Sequence, residues 1–464
     1  MRPSAYLIRR RISETHTLFI NGLSGAIDVV DARIERAICD ERSVGSVDPT
    51  LLDKLLARGH LVSNKRDEES RVERVFETHR PKRRMLRFSI SPTYSCNLRC
   101  VYCFEKGKVG LPSPIMSPKD VDLAFDAIRS ISAGEPDLPK VVVLFGGEPL
   151  LPANRRAVRR VFELAKESGI SVSISTNGTN VPAFERELRS YASLLNVQIT
   201  LDGPERIHDQ RRITASGKGT FSSVVRSVNF LLGLGIAVTL RVNVDAQNQP
   251  FLSGTVDMIR ALGWFDDDRF RCNLAPVVDH TASGDYPYLL DEWALVEPIL
   301  DLIEGSSGAF GSIGIGMFRS LKHIRASLES GGSSIPQSYY CEANNFEAFE
   351  FGPDGLIYAC SECMGNEEQA IGRYKPKFEL FEEKVALWSG RNVATIEKCR
   401  KCELAFFCGG GCAHSALVIN GSLYDPYCGS IRKLIDVYID RVAGRILERA
   451  SELNPSFAEL REAA

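Results

Sequence analysis

Hydrophobic and polar positions change rhythm twice along the chain. Residues 6–12 and 17–20 alternate as strands do, and Asn21-Gly22-Leu23-Ser24-Gly25 is a turn signal between or after them. Residues 32–39 and 49–58 carry helical spacing, Gly59 is a helix stop, and 60–63 reads as a last strand. The order strand–strand–helix–helix–strand predicts a winged-helix module within residues 1–80. The charge-rich segment 65–87 reads as a linker with some helical character.

From residue 86 strands and helices alternate. Strands are expected at 86–91, 140–145, 171–176, 196–201, 237–244 and 269–275, with helices at 119–131, 155–168, 181–194, 221–233 and 252–262. Six strands alternating with helices predict an α/β core over 86–315, a partial (β/α)6 TIM-like barrel. In such folds the site lies at the C-terminal ends of the strands. A cysteine triad follows the first strand, Gly146-Gly147-Glu148-Pro149 the second, Asn177-Gly178 the third and Asp202-Gly203-Pro204 the fourth, so all four are expected on one rim. Residues 276–335 hold a helix at 290–302 and a Gly/Ser-rich stretch without an assigned element. A cysteine-rich domain is expected at 336–440, and 430–450 reads as a closing helix.

The 464 residues carry 57 Lys plus Arg against 59 Asp plus Glu, which gives no global case for a nucleic-acid or polybasic membrane protein. No apolar run is long enough to span a bilayer, and the N-terminus has charges but no apolar core of a secretory signal. A cytoplasmic, reducing location is therefore expected. That makes metal binding, rather than disulfides, the better reading of 13 cysteines.

Cys39 and Cys272 stand alone and read as buried small hydrophobes. Cys96, Cys100 and Cys103 form one tight group, and Cys341, Cys360, Cys363, Cys399, Cys402, Cys408, Cys412 and Cys428 fall in the last third. Three thiolates cannot by themselves complete a tetrahedral zinc site or a four-iron cluster. The triad implies an open iron or a ligand from elsewhere. Eight cysteines fill two four-ligand sites, and their spacing alone does not separate zinc from iron–sulfur.

Cys96-Asn97-Leu98-Arg99-Cys100-Val101-Tyr102-Cys103 is a CxxxCxΦC motif and resembles the signature of the radical S-adenosylmethionine (radical SAM) enzymes. The resemblance implies a [4Fe–4S] cluster on Cys96, Cys100 and Cys103 whose open iron binds SAM. It further implies reductive cleavage of SAM to a 5′-deoxyadenosyl radical that abstracts a hydrogen atom from substrate. Gly146, Gly147 and Glu148 resemble the family's GGEP motif; glycines permit close backbone approach, and Glu148 can pair an ammonium. Ser175 and Asn177 resemble a ribose-contacting segment, although Asn-Gly is as often only a turn. Tyr102, Asp202 and Arg212 complete the expected SAM contacts, with Arg212 toward the carboxylate. Arg212 also reads as a surface arginine, and Arg241 is a similar candidate.

The C-terminal cysteines resemble the SPASM pattern of radical SAM enzymes that modify peptides and proteins. The resemblance implies one auxiliary [4Fe–4S] cluster on Cys341, Cys360 and Cys412, with Cys363 as the fourth ligand. A second would lie on Cys399, Cys402, Cys408 and Cys428. His414 reads as a donor to this region or as exposed, and Glu105 as a helix cap. The N-terminal module resembles the peptide-recognition domains of ribosomal-peptide (RiPP) maturases, which add a leader peptide as an edge strand. The expected function is oxidative modification, such as a cross-link, of a precursor peptide or protein with a leader. An electron donor such as flavodoxin or ferredoxin is expected, with no nucleic acid and no membrane. Two alternatives stand. One is maturation of a whole protein, of sulfatase type or amine-dehydrogenase type; the sulfatase branch uses an Asp after the second cysteine of the first auxiliary set, where Cys360 here precedes Ser361. The other is an iron–sulfur regulator whose winged helix binds DNA.

Overall fold

Strands such as SVSIST at 171–176 and LNVQIT at 195–200 build the centre of the molecule, with alternate side chains buried and those between half-buried or exposed. The computed structural model describes residues 1–39, 47–78, 83–108, 113–280, 283–305, 313–329 and 335–450.

The N-terminal part comprises β1 (Arg2–Pro3), β2 (Leu7–Arg11), β3 (His16–Asn21), β4 (Ile27–Asp31), α1 (Ala32–Cys39), α2 (Pro49–Ala57), β5 (Leu61–Val62) and α3 (Lys65–Thr78). β2, β3 and β4 form an antiparallel sheet, and β1 pairs with β5. The sequence did not reveal β1 or β4. Most of the charge-rich linker is α3, anchored by Glu68, whose carboxylate accepts from Ser4 Oγ and Ala5 N at 2.7 Å each.

The next strands are β6 (Leu86–Ile90), β7 (Lys140–Leu144), β8 (Ser171–Thr176), β9 (Leu195–Thr200), β10 (Ala237–Val244), β11 (Phe270–Pro276) and β12 (Ile313–Gly314), each parallel to its neighbour. Between them run α4 (Pro118–Ser132), α5 (Arg155–Glu167), α6 (Glu185–Ser190), α7 (Glu205–Arg211), α8 (Phe221–Gly233), α9 (Leu252–Ala261) and α10 (Val296–Gly305), and α11 (Arg319–Glu329) follows β12. A capping box of Ser117 and Asp120 starts α4. The helix expected at 181–194 is instead two 3-10 turns flanking the short α6.

The sheet continues past β6. β13 (Ala348–Phe351) adds to it in parallel, followed by antiparallel β14 (Leu356–Tyr358), β15 (Ala370–Arg373) and β16 (Glu379–Leu380). The result is an α/β fold around one eleven-stranded, mostly parallel sheet that runs open from β12 to β16. The cysteine-rich region is thus stitched into the same sheet as the triad strand. α12 (Glu382–Ser389), α13 (Ala405–Cys408), α14 (Ala413–Asn420) and α15 (Ile431–Glu448) complete the fold.

The N-terminal part docks on the cysteine-rich region. The rings of Tyr6 and Phe406 meet edge-on at 5.0 Å, and Tyr6 Oη donates to the Arg400 carbonyl at 3.1 Å. Tyr6, Leu23, Val75, Ile396, Cys399 and Phe406 share one buried cluster. Arg10 of β2 pairs with Asp440 of α15 at 2.6 Å. No helix among the described residues is long and apolar enough to cross a membrane.

Candidate functional site

Because β6 to β11 are parallel, their C-terminal ends share one rim, and the loop after β6 carries the triad. That loop is held from three sides. Arg99 N and Val101 N donate to the carbonyls of Ile213 and Arg211 at 2.7 and 3.0 Å. Asn97 Nδ2 donates to Thr179 Oγ1 at 2.8 Å, while Asn177 Nδ2 reaches Asn97 Oδ1 at 2.9 Å and Cys96 Sγ at 3.8 Å. On the third side Gly147 N and Glu148 N donate to the carbonyls of Thr93 and Ser95.

The two glycines make that third contact possible. A Cβ on Gly147 would lie 2.3 Å from the Ser95 carbonyl oxygen. One on Gly146, whose φ is +106°, would lie 1.8 Å from Ser91 Oγ. Their close approach is therefore to the chain leading into Cys96. Glu148 is wholly buried, and its carboxylate accepts from Leu150 N, Thr176 Oγ1 and Asn177 N at 2.9, 2.7 and 2.7 Å. It braces the ends of β7 and β8 against each other. Ser175 Oγ accepts from Gln198 Nε2 at 3.2 Å.

Burial pushes the Cys96 and Cys103 thiols up to about 12 and raises Cys100 as well; the Arg212 guanidinium pulls Cys96 and Cys100 the other way. Such thiols keep their protons until a metal displaces them.

Behind the triad lies a network that sequence reasoning only half found. Tyr102 Oη donates to Asp202 and accepts from Arg212 Nη1 at 2.8 Å and Asn243 Nδ2 at 3.1 Å. Asp202 is fully buried and also takes Asn243 N at 3.0 Å and Arg211 Nε at 3.4 Å. Arg211 pairs with Asp245 too and lies 4.8 Å from the Tyr102 ring centre. Tyr286 Oη donates to Asp245 Oδ2 at 2.7 Å. Arg211 thus pairs with two buried aspartates, and the charge of Asp202 acts on Arg212 as well. Arg212 is buried, makes one hydrogen bond to a neutral phenol, and its Nε has no protein partner. Arg212 is not a surface residue. Arg241 donates to Asn243 Oδ1 at 2.7 Å.

The eight later cysteines separate into two neighbourhoods. Cys360 and Cys363 share a thiol–thiol hydrogen bond that holds Cys363 below the ordinary range and Cys360 above it. Cys363 Sγ also meets His414 Nδ1 at 3.4 Å. The Cys341 thiol feels the charge of Cys412, and Cys360 that of Cys341. Burial pushes Cys412 up, but hydrogen bonds from His280 and Ser415 bring it to about 7. In the other neighbourhood burial raises Cys399 to about 12 and Cys408 to about 11, reinforced by mutual repulsion with Cys402 and Cys428. Among the described residues, no three His, Cys, Asp or Glu side chains are spaced to hold a single metal ion.

Cys272 is buried on β11, as expected, but Cys39 is exposed at the end of α1 beside Arg9. His414 is buried rather than exposed. Glu105 caps no helix; it is buried, and desolvation and Glu362 push it up to about 7 against the pull of Lys108. Arg211, Asn243, Asp245, Tyr286, His280 and Arg391 went unnoticed, and only the Arg211-Arg212 doublet offered a signal.

Residues 90–247 match the radical SAM superfamily model. The chain is 26% identical over 381 residues to the cysteine-type anaerobic sulfatase-maturating enzyme of Clostridium novyi, covering 76% of this chain and 95% of that one. Its fold is similar to anSMEcpe solved with bound AdoMet and a Cp18Cys peptide, at a TM-score of 0.59 and 20% identity, over 79% of this chain and 99% of that one. It is also similar to SuiB of Streptococcus suis bound to the precursor peptide SuiA, at a TM-score of 0.53 and 15% identity, over 93% and 99%. Residues 90–247 therefore form a radical SAM domain, set within a fold that the chain shares with these two solved structures.

Proposed function

We propose that this protein is a radical SAM enzyme that modifies a ribosomally made precursor peptide bearing a leader, with a side-chain cross-link or other oxidative change as the outcome. The observation that carries the reading is the union of a braced three-cysteine loop with a buried Arg212 whose Nε lacks a protein partner. The donor set fits a cluster and its ligand: three thiols leave one iron open, and Arg212 offers a forked cation to a carboxylate. Bound there, a [4Fe–4S] cluster with SAM would supply the 5′-deoxyadenosyl radical that takes a hydrogen atom from substrate. Cys96, Cys100 and Cys103 would hold the cluster. Asn177 beside Cys96, Tyr102, Ser175 and the Gly146–Gly147 backbone would line the ligand, and Glu148 and Asp202 would keep the rim rigid.

Two auxiliary [4Fe–4S] clusters are assigned to Cys341, Cys360, Cys363 and Cys412, and to Cys399, Cys402, Cys408 and Cys428. The two thiol neighbourhoods support that division. The N-terminal elements support a winged-helix peptide-recognition module, in which a leader would add to an edge of the β2–β3–β4 sheet. The SuiB fold leaves 7% of this chain uncovered, less than the N-terminal part, whereas the anSMEcpe fold leaves 21%. A flavodoxin or ferredoxin as electron donor and a cytoplasmic location belong to the same proposal.

The similarity to a cysteine-type sulfatase-maturating enzyme across 95% of its length, and to a serine-type one across 81%, favours a second reading, oxidation of a Cys or Ser in a sulfatase. Ser361 after Cys360 argues against it. Anaerobic reconstitution tests the proposal. The native protein should bind about 12 Fe per chain, and changing Cys96, Cys100 and Cys103 to Ala should leave about 8 and abolish 5′-deoxyadenosine formation from SAM plus dithionite. No 5′-deoxyadenosine from the native protein sinks the enzyme reading. Turnover of a sulfatase-motif peptide but not of leader-bearing peptides would select the second reading.

A further inference from the structure

Arg391 is wholly buried, and its guanidinium sits where the two cysteine neighbourhoods join. Its Nη2 and Nη1 donate to the carbonyls of Gly410 and Gly411 at 2.7 and 3.0 Å, and its Nε donates to the Leu423 carbonyl. Gly410 and Gly411 lie in the three-residue link between Cys408, of one set, and Cys412, of the other. That link has one shape only. Gly409, Gly410 and Gly411 all have φ between +68° and +89°, and a Cβ on Gly409 or Gly411 would meet a backbone carbonyl oxygen at 2.4 or 2.6 Å. Arg391 therefore grips the shortest link between the two sets and, through Leu423, a second one between Cys412 and Cys428.

A buried guanidinium without an anion is costly. Among the described residues Arg391 makes no ion pair with a carboxylate; burial works against its charge, and thiols of both sets, Cys341, Cys399, Cys412 and Cys408, act in its favour. Two come from each set. The cation is balanced when those sulfurs are thiolates, as metal ligation makes them.

We propose that Arg391 is the shared counter-cation of the two auxiliary clusters, a positioning residue that raises the reduction potentials of both while fixing their separation. The proposal rests on the reading that both cysteine sets hold clusters. A nearby cation stabilises the more negative, reduced form of an anionic cluster, so removing it lowers the potential.

The test is EPR-monitored potentiometric titration of the reconstituted enzyme, with iron counted beforehand. Arg391→Gln should shift both auxiliary midpoints to more negative values and leave the triad cluster unmoved; Arg391→Lys should stay near the native midpoints. A shift in neither or only one auxiliary cluster, or an equal shift in Arg391→Lys, overturns the proposal. Should Arg391→Gln fail to retain iron, Arg391→Lys decides: iron retained at native midpoints supports the role of charge, and the same loss of iron overturns it. If the native protein itself binds only the triad's iron, the cluster reading fails instead, which the iron count reports separately.

Discussion

Arg212 Nη1 donates to Tyr102 Oη at 2.8 Å, while its neighbour Arg211 pairs with both Asp202 and Asp245. Adjacent arginines thus have different duties: one is locked between two carboxylates, the other is held by a phenol with its Nε unpartnered. Arg212→Ala should weaken SAM binding to the reconstituted protein about 10- to 100-fold, the worth of a charge-assisted hydrogen bond. Arg212→Lys should recover only part, because an ammonium lacks the planar fork. Calorimetric titration with SAM measures both. An unchanged dissociation constant in Arg212→Ala would remove this residue from the carboxylate site.

The rim tolerates no side chain at residue 147. Gly147→Ala would drive a methyl group to 2.3 Å from the Ser95 carbonyl, so the strand end or the triad loop must move. The expected result is a lower melting temperature together with loss of triad iron, read by iron content and thermal unfolding. Gly134→Ala, with nothing within 4 Å of the added carbon, is the matched control and should leave both unchanged. If Gly147→Ala keeps full iron, the close approach is not what shapes the loop.

The motifs were legible because they are local. Cys96 to Cys103, Gly146-Gly147 and the paired later cysteines are spacings within a few residues, and strands such as β8, β9 and β10 alternate apolar and polar positions. What escaped notice depends on distance in sequence. Arg391 has meaning only beside Gly410 and Gly411, and Arg211 only beside Asp245. β13 joins β6 across some 260 residues, a pairing that no periodicity announces. Glu148 read as a free acid because its type suits an ammonium, whereas burial under Thr176 and Asn177 makes it a brace.

His208 gives the fold a pH dependence of known sign. Burial, helped by Arg212, lowers its pKa to about 4 from 6.5, although Asp202 and Asp209 pull it up. In the fold the ring is neutral: Nδ1 accepts from Asp202 N at 3.2 Å, which leaves the Nε2 proton for Thr220 Oγ1 at 2.9 Å. The unfolded chain binds the proton more readily between those two values, so the His208 contribution is complete above pH 6.5 and fades as pH falls toward 4. The stability gap between the native protein and His208→Gln should therefore narrow over that window and stay constant above it. Thermal unfolding from pH 4.5 to 8 measures it, and a gap that widens on acidification would reverse the assignment.

Tyr6 ties the N-terminal part to the loop that bears Cys399 and Cys402. Its ring packs edge-on against Phe406 at 5.0 Å, its hydroxyl reaches the Arg400 carbonyl at 3.1 Å, and Cys399 lies in the same buried cluster. Tyr6→Phe removes one hydrogen bond and should cost about 1 kcal/mol. Tyr6→Ala also opens a cavity beside Cys399 and should cost about 3 kcal/mol or more. The two variants should differ in a second measurement as well. If this contact shields the set of Cys399, Cys402, Cys408 and Cys428, an iron chelator should strip iron faster from Tyr6→Ala than from Tyr6→Phe, with the first set and the triad losing iron at the native rate. Equal stripping in all three places would make Tyr6 a general support of the fold, because a local breach exposes only the cysteines it covers.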